Sequence, residues 1–529
     1  MSDVSTAIDL DTIAILDFGS QYTQLIARRV RELGVFSRIY PHDVSITRLL
    51  APDIRGIILS GGPASVTESG APWPDSALFS IEKPLLGICY GMQLLNYFHD
   101  GTVVPGSRRE YGPAEITLIS AEPLFQRLVG IQPVWMSHGD HLDRLADDFR
   151  VIARTSDGVI AAIRHAEPRR AVYGVQFHPE VTHTPNGQVI LENFLFEICG
   201  CSHSWSLAGH LERTVAELQS TIGKLPVCVL VSGGVDSTVT AALLARALPS
   251  AQVRTLHIDN GLMRAGESVE VLESLHRIGI TDVTFVDAAE LFLERLVGVT
   301  DPEEKRRIIG DTFIAVQERE LARLGLGDNK VFLAQGTLYT DLIESGSGVG
   351  KQAVVIKTHH NVSTPSVQAK REAGLLVEPN REIFKDEVRA LGLCLGLPES
   401  LVYRHPFPGP GLAIRILGAV TPERLALLRQ VDACFLDELR RNGLYEKIWQ
   451  AFAVLLPVQS VGVMGDARSY DHVVGLRAVQ SCDGMTAQAY PFPWEVLTRL
   501  ATRLTNEING VGRVVYDVSS KPPATIEWE

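Results

Sequence analysis

The stretch Ser232-Gly233-Gly234-Val235-Asp236-Ser237 decides the fold of the middle of the chain. It lies between an apolar run at 227–231, which predicts a strand, and an alanine-rich apolar stretch at 238–248, which predicts a helix. A glycine-rich turn between a strand and a helix exposes backbone N–H groups, and the helix dipole adds positive potential there. The serine hydroxyls add donors, and the glycines let an anion approach closely. The sequence therefore predicts a phosphate-binding loop and a nucleotide substrate.

This loop differs from the common phosphate-binding motif G-x-x-x-x-G-K-[ST]. The segment 345–352 comes close to that motif, but Ser345 replaces its first glycine and Gln352 its last residue, so it is rejected. The Ser232–Ser237 order instead resembles the pyrophosphatase loop of the N-type ATP-pyrophosphatases, which cleave ATP between the α and β phosphates. The resemblance implies that these six residues bind ATP, and Asp236 is a candidate Mg²⁺ ligand.

Three residues outside the loop are further candidates for the nucleotide site. His257 and Asp259 lie around the end of the predicted strand 253–258, so we expect them near the adenosine. Lys385 looks like a phosphate contact; the alternative is a solvated lysine near the start of a helix.

The composition is that of an ordinary globular protein. Of the 529 residues, 45% are hydrophobic and 21% are charged, and no apolar run reaches the ~18 residues of a membrane span. The net charge of −13 argues against binding to nucleic acid or an anionic membrane. The polar, acidic N-terminus predicts no signal peptide. Seven scattered cysteines without a C-x-x-C pair predict a reducing, cytoplasmic location and no structural zinc.

The pattern along the chain predicts three domains, at 1–203, 204–403 and 404–529. In the first two, strand-like runs alternate with helix-like stretches, which is typical of α/β domains with a doubly wound parallel sheet. The third is predicted to be a smaller α+β domain, because a proline- and glycine-rich segment at 406–411 interrupts the pattern. The strands expected are 12–16, 56–59, 84–89, 172–177, 227–231, 253–258, 282–286, 331–334, 458–463, 473–480 and 512–518.

A candidate thiol site lies in the first domain. Cys89 follows an apolar strand and precedes a helix expected at 92–98, as the nucleophile does in a nucleophile elbow. His178 and Glu180 end another apolar strand, so the carboxylate can orient the imidazole toward the thiol. The turn at 60–63 offers free N–H groups for an oxyanion. Taken singly, each piece is more often structural: an inert buried cysteine, a hydrogen-bonded histidine and an ordinary turn.

Together these three elements resemble the class I glutamine amidotransferases, whose thiolate attacks the side-chain amide of glutamine and releases ammonia. The resemblance covers about residues 11–200. It implies Cys89 as nucleophile, His178 as general base and acid, and Glu180 as the residue that orients His178. It places Gly62 and the Tyr90 amide in the oxyanion hole. Positions that resemble the glutamine-contacting positions of the family are Gln93, Ser137, His138, Gly139 and Asp140.

A glutaminase joined to an ATP-pyrophosphatase describes an ATP-dependent amidation fed by glutamine. The acceptor is indicated by segments that run nearly from end to end and resemble the GMP synthase family. These segments are 301–310, 335–339, 341–345, 356–361, 404–415 and 519–529. The resemblance implies xanthosine monophosphate (XMP) as the acceptor, an adenylyl intermediate, release of AMP and pyrophosphate, and a homodimer paired through the C-terminal domain.

The phosphate of an acceptor nucleotide needs cations to bind it, and the guanidinium of arginine suits this because it can donate two parallel hydrogen bonds. Arg306 and Lys521 are the candidates, with Arg307 as an addition; the alternative for 303–307 is a solvated helix face. Glu527 is expected to accept hydrogen bonds from ribose or base, and the family resemblance adds Gln450 to the same pocket. Two further hypotheses are that Asp341 and Glu344 complete the metal or acceptor site, and that 357–361 forms a mobile lid.

Two alternatives stay open. One is another glutamine-dependent ATP-pyrophosphatase, either an NAD synthetase or a tRNA-modifying enzyme. NAD synthetases usually carry a different glutaminase, and a tRNA enzyme should show a strongly basic face. The other is a nucleotide sensor or scaffold without activity, which predicts a broken site. Cys89, His178, Glu180 and the whole Ser232–Ser237 loop are present.

Overall fold

The computed structural model describes residues 10–325, 331–338, 365–464, 467–481 and 486–529. These residues form two compact units: the first extends to His210, and the second begins at Leu211. The division into three domains at 203/204 and 403/404 stays a prediction.

A nine-stranded sheet forms the centre of the first unit. Its strands, from β1 to β9 in chain order, are Thr12–Asp17, Phe36–Pro41, Ile54–Leu59, Leu85–Ile88, Thr102–Leu118, Ile131–Arg144, Phe149–Thr155, Ile160–His165 and Val172–Val175. Their order in the sheet is β2-β1-β3-β4-β9-β8-β7-β5-β6. The five strands from β2 to β9 in this order are parallel, and the remaining neighbours are antiparallel.

The parallel half confirms the four strands expected in this region. Its strands are buried on both faces, as in β4, where every residue from Leu85 to Ile88 is buried. Parallel strands covered on both faces have continuous apolar sequences, which explains why they could be recognised. The antiparallel half was not anticipated from the sequence.

Helices lie between the strands of the first unit. They are α1 (Thr23–Glu32), α2 (Ile46–Leu49), α3 (Tyr90–Phe98) and α4 (Gly187–Glu192), and α4 continues as a π-helical turn at Asn193–Ile198. Helix α3 begins at Tyr90, two residues before the expected start, so Cys89 directly precedes its first turn.

The second unit begins with a parallel sheet of five strands. These are β10 (Val227–Leu230), β11 (Val253–Asp259), β12 (Val283–Asp287), β13 (Phe332–Ala334) and β14 (Leu376–Val377), in the order β12-β11-β10-β13-β14. All four neighbouring pairs are parallel. The four strands expected in this region are therefore confirmed, with shifts of a residue at their ends.

The helices around this sheet, from α5 to α12 in chain order, are Leu207–Ile222, Val235–Ala247, Glu267–Arg277, Ala289–Arg295, Pro302–Arg323, Pro365–Glu372, Lys385–Cys394 and Glu399–Val402. A 3-10 helix follows at Gly411–Arg415. Helix α6 starts at Val235, three residues before the expected start. Asp236 and Ser237 therefore belong to its first turn, not to the loop before it.

The C-terminal part of the second unit is an antiparallel hairpin with added strands and two helices. Its elements are α13 (Pro422–Arg441), β15 (Gln450–Met464), β16 (Ala467–Gln480), β17 (Gln488–Ala489), α14 (Trp494–Glu507) and β18 (Val511–Tyr516). Strand β16 pairs with β15 and β17 antiparallel and with β18 parallel. The α+β character expected here is confirmed. One hydrophobic core contains Leu256 and Phe292 together with Phe435 and Leu476.

Candidate functional site

Cys89 lies at a sharp bend between β4 and α3. Its φ is 52°, which is a strained conformation for a residue with a side chain and is often found at functional sites. The bend leaves no room around its glycines: a Cβ on Gly87 would lie 2.5 Å from the carbonyl of Gly91, and one on Gly91 would lie 2.5 Å from the carbonyl oxygen of Leu59. The local sequence thus places the thiol in front of the free N–H groups that begin α3.

His178 and Glu180 form a buried pair facing this thiol. Nδ1 of His178 lies 2.6 Å from Oε1 of Glu180, and the two side chains are 3% and 0% exposed. Burial alone would lower the pKa of His178. The Glu180 carboxylate and the hydrogen bond to Cys89 outweigh burial and raise that pKa well above its ordinary value. These contacts therefore stabilise the charged, imidazolium form of His178.

The turn at 60–63 lies against the same site. A Cβ on Gly61 would be 3.3 Å from Cε1 of His178 and 3.6 Å from Cβ of Cys89, so this backbone passes close to the thiol. A Cβ on Gly62 would be 2.7 Å from the carbonyl oxygen of Phe18, which explains the need for glycine there. Gly62 thus belongs to a turn beside the thiol, and the Tyr90 amide begins α3.

The predicted glutamine-contacting residues approach Cys89 from α3 and β6. Nε2 of Gln93 donates to the carbonyl oxygen of Asp140 at 3.0 Å, and Sγ of Cys89 lies 3.8 Å from the carbonyl oxygen of Ser137. Gly139 has open space at its Cβ position. The carbonyl group of Ser137 therefore lies beside the thiol, and that of Asp140 lies beside Gln93.

Gln176 is a residue of this site that the sequence analysis missed. Its Nε2 lies 3.6 Å from Sγ of Cys89, and its Oε1 lies 3.4 Å from Nε2 of Gln93. The side chain is fully buried. Gln176 is a single amide in the apolar run that leads to His178, but the sequence alone does not show which groups that amide faces.

His138 is buried and contacts Glu110, with Nε2 3.1 Å from Oε2 of that carboxylate. Burial lowers the pKa of His138 to about 4 despite the backbone hydrogen bond to Asp140. An unfolded histidine titrates near ~6.5, so between the two values the folded chain binds fewer protons than the unfolded chain. Stability contributed by neutral His138 is therefore lost as the pH falls from about 6.5 to about 4, by about 3 kcal/mol in total.

We expect His138→Asn to make the melting temperature less dependent on pH in that window, because the asparagine cannot titrate. Thermal denaturation between about pH 4 and 6.5 measures this slope. His276→Asn, which changes an exposed histidine on α7, serves as the control. An unchanged slope in His138→Asn would contradict the assignment.

The Ser232–Ser237 loop, as the sequence defines it, comprises the turn after β10 and the first residues of α6. Gly233 has a φ of 88°, and a Cβ there would lie 2.8 Å from Cγ2 of Val271, so only glycine fits. The Ser232 N–H donates to Oγ of Ser237 at 3.2 Å, which closes the loop. Gly234 directly precedes α6, so the N–H groups of Val235 and the residues after it begin the helix and are available to an anion.

Asp236 and Lys385 form an ion pair in this region. Nζ of Lys385 contacts Oδ2 of Asp236, and Asn380 donates to the Asp236 carbonyl oxygen at 3.1 Å. The other carboxylate oxygen of Asp236, Oδ1, is buried and has no hydrogen-bond partner among the described residues. An unsatisfied buried carboxylate oxygen is the kind of ligand that Mg²⁺ prefers. The first turn of α6 thus fits a metal site.

His257 lies behind the loop, and its expected place near the adenosine stays a prediction. Its side chain is fully buried, with Nδ1 2.7 Å from the Val231 carbonyl oxygen and Nε2 3.1 Å from Oγ of Ser268. Both ring nitrogens are therefore occupied by the protein, and His257 supports the loop from behind. Asp259 is partly exposed; it accepts from Ser268 at 2.8 Å and from the Gly261 N–H at 2.8 Å.

A chain of ion pairs that the sequence analysis missed leads away from the loop. Arg404 donates to the Gly233 carbonyl oxygen at 3.0 Å and pairs with Glu267, which is buried. Glu267 also accepts from the N–H of Arg264 at 2.7 Å, and the Arg264 guanidinium lies 2.9 Å from Oδ2 of Asp432. The loop is thereby tied to α13. The residues of these ion pairs are far apart in the sequence, so no local motif reveals them.

The predicted acceptor residues are only partly brought together. Gln450 and Glu527 are in contact, with Nε2 of Gln450 2.7 Å from Oε1 of Glu527. Lys521 lines a cavity of about 740 Å³ that Trp449 also borders. Arg306 lies on α9, and its described ion pair is with Glu303 one turn earlier.

Some predictions fall outside the described residues. These are the hypotheses on Asp341 and Glu344, the lid at 357–361 and the rejected motif at 345–352. Across the part of the chain that the structure describes, no helix combines the length and apolar character needed to cross a membrane.

The fold and the two sites define a glutamine amidotransferase joined to a nucleotide-dependent synthetase. Family models agree: Glutamine amidotransferase class-I matches residues 14–198, Asparagine synthase matches 206–300, and GMP synthase C terminal domain matches 437–528. Curated relatives called GMP synthase [glutamine-hydrolyzing] match over the full length. The protein of Phenylobacterium zucineum is 51% identical over 98% of this chain and 99% of its own, and that of Aquifex aeolicus is 48% identical with the same coverage. The chain therefore belongs to the glutamine-hydrolysing GMP synthase family.

Proposed function

We propose that this chain makes GMP from XMP, with ATP and glutamine as co-substrates and AMP, pyrophosphate and glutamate as the other products. The full-length similarity to glutamine-hydrolysing GMP synthases carries the proposal. The presence of both a thiol site and a phosphate loop supports it, because the first supplies ammonia and the second supplies an activated acceptor.

In the amidotransferase half, the Cys89 thiolate attacks the side-chain amide carbon of glutamine. The N–H groups of Gly62 and Tyr90 stabilise the oxyanion that forms. His178 delivers a proton to the departing ammonia and then takes one from the water that releases glutamate. Glu180 holds the imidazole in position, and its ion pair with His178 stabilises the charged form.

In the synthetase half, the Ser232–Ser237 loop holds the outer phosphates of ATP, and Lys385 adds a cation. The acceptor oxygen attacks the α-phosphate, pyrophosphate leaves, and ammonia then displaces AMP from the adenylated carbon. Asp236 is the residue that would hold Mg²⁺, because its Oδ1 is buried and unsatisfied among the described residues. Bound Mg²⁺ neutralises polyphosphate charge.

XMP is assigned to the C-terminal part of the second unit. Glu527 and Gln450 meet there, and Arg306 and Lys521 are the proposed cations for its phosphate. Asp259 is proposed to lie near the adenosine of ATP. A homodimer, a cytoplasmic location and the absence of nucleic acid among the partners are further proposals, the last one supported by the net charge of −13.

The decisive experiment supplies the purified chain with ATP, Mg²⁺, XMP and ammonium, and follows GMP, AMP and pyrophosphate. We expect the three products in equal amounts. ADP and orthophosphate in place of AMP and pyrophosphate would contradict the assignment of the loop. If no GMP formed but a different acceptor were amidated, the assigned ATP chemistry would hold, and XMP would be excluded as the acceptor.

A further inference from the structure

Glu527 is held by the protein in one orientation. Arg415 donates to both of its oxygens, from Nη2 to Oε1 at 2.8 Å and from Nε to Oε2 at 3.1 Å. Gln450 donates to Oε1 as well, at 2.7 Å. A carboxylate offers about four acceptor positions, two on each oxygen. Oε1 is thus saturated, and a single position remains on Oε2.

Arg415 is unusually placed for a charged residue. Its side chain is 0% exposed, whereas that of Glu527 is 20% exposed. Its guanidinium lies over the rings of Phe407 and Phe452, 5.1 Å and 4.2 Å from their centroids. A buried arginine costs free energy unless it is paired, and among the described residues Glu527 is the carboxylate that pairs with it. Two of its three nitrogens, Nε and Nη2, hold Glu527, and Nη1 is buried without a hydrogen-bond partner among the described residues.

The segment that contains Arg415 is itself anchored. Lys305, fully buried on α9, donates to the carbonyl oxygens of Ala413 at 3.2 Å and Ile416 at 2.7 Å. Lys305 also contacts the Glu529 side chain. The backbone on both sides of Arg415 is thus fixed to the same helix that carries Arg306.

From this geometry we propose that Arg415 is a positioning residue of the acceptor site. It fixes Glu527 so that the one open position on Oε2 receives a single donor from the acceptor nucleotide, either a ribose hydroxyl or a ring N–H. The inference rests on the proposed function, since it concerns the site assigned to XMP. Arg415 is buried and acts through Glu527, so it is not a catalytic residue.

The test is steady-state kinetics of Arg415→Lys with ammonium as nitrogen donor, so that the amidotransferase does not enter. Lysine keeps the charge and loses the two-pronged geometry. We expect the KM for XMP to rise about tenfold or more, the size of a lost charge-assisted hydrogen bond, and the KM for ATP to change less than about twofold. Comparing XMP with its 2′-deoxy and 3′-deoxy analogues distinguishes a ribose hydroxyl from the ring N–H.

Two further variants separate positioning from general damage. In a Glu527→Gln background, Arg415→Lys should add little to the KM for XMP, because Arg415 acts through that carboxylate. Arg424→Lys, which changes an arginine that binds the carbonyl oxygens of Leu417 and Ala419, should leave the KM for XMP unchanged.

Parallel losses for ATP and XMP in Arg415→Lys, or full additivity with Glu527→Gln, would overturn the proposal. A wild-type chain that fails to amidate XMP would instead refute the proposed function, so the two failures can be told apart.

Discussion

Cys89→Ala is expected to abolish GMP formation from glutamine and to leave formation from ammonium intact. Removal of a catalytic nucleophile costs at least about 10³-fold in rate, and alanine leaves no group that can attack the amide. Ammonium enters the synthetase reaction directly, so its rate should stay within about twofold of wild type. Both rates are obtained from one assay of GMP formation with either nitrogen donor.

Cys201→Ala is the matched control for this experiment. Cys201 is another buried cysteine of the first unit, and its described contacts are with Leu195 and Cys199, not with Cys89 or His178. We expect it to retain glutamine-driven synthesis. If Cys89→Ala lost GMP formation equally with glutamine and with ammonium, the thiol site would not be independent of the synthetase. Retained glutamine use would remove Cys89 from the mechanism.

The thiol site was predictable because its parts follow buried parallel strands. Such strands are continuous apolar runs, and the residues that follow them lie at one edge of the sheet. Cys89 and His178 could be assigned on this basis. Gln176 could not, because a single amide in an apolar run does not reveal that it faces the thiol.

The antiparallel half of the first sheet was missed for a different reason. Strand β5 contains Pro105 and Pro113, and prolines argue against a strand in any reading of the sequence. Its partner β6 alternates exposed and buried residues over part of its length, and it contains positions 137–140, which are predicted to contact glutamine. The function of that segment was predicted, but the strand was not.

The synthetase site shows where local patterns stop being informative. The Ser232–Ser237 loop was recognised from six adjacent residues. The side chains that hold it, among them His257 and Arg404, come from distant parts of the chain. The sequence pattern does not reveal that the His257 ring contacts the carbonyl oxygen of Val231, the residue directly before the loop. Arg415 was missed because pairing with Glu527 joins positions 112 residues apart.

Asp236→Asn is expected to impair GMP formation with glutamine and with ammonium alike. The substitution keeps the size of the side chain but removes the charge that pairs with Lys385, and it weakens Oδ1, the oxygen that we propose as a ligand of Mg²⁺. Loss of a preorganised electrostatic contact costs about 10²-fold or more. Pyrophosphate release in the presence of XMP measures the step directly, without any nitrogen donor.

GMP formation by Asp236→Asn and Cys89→Ala, each measured with glutamine and with ammonium, shows which site each residue serves. Asp282→Asn, which removes an exposed carboxylate from the same unit, should behave like wild type. If Asp236→Asn released pyrophosphate at the wild-type rate, Asp236 would have no part in adenylation. If Asp236→Asn lost GMP formation with glutamine but kept it with ammonium, the loop would be needed to supply ammonia. A phosphate-binding turn beside α6 does not explain such a role. Loss with both donors, set against loss with one donor in Cys89→Ala, is the outcome expected from a thiol that makes ammonia and a loop that activates the acceptor.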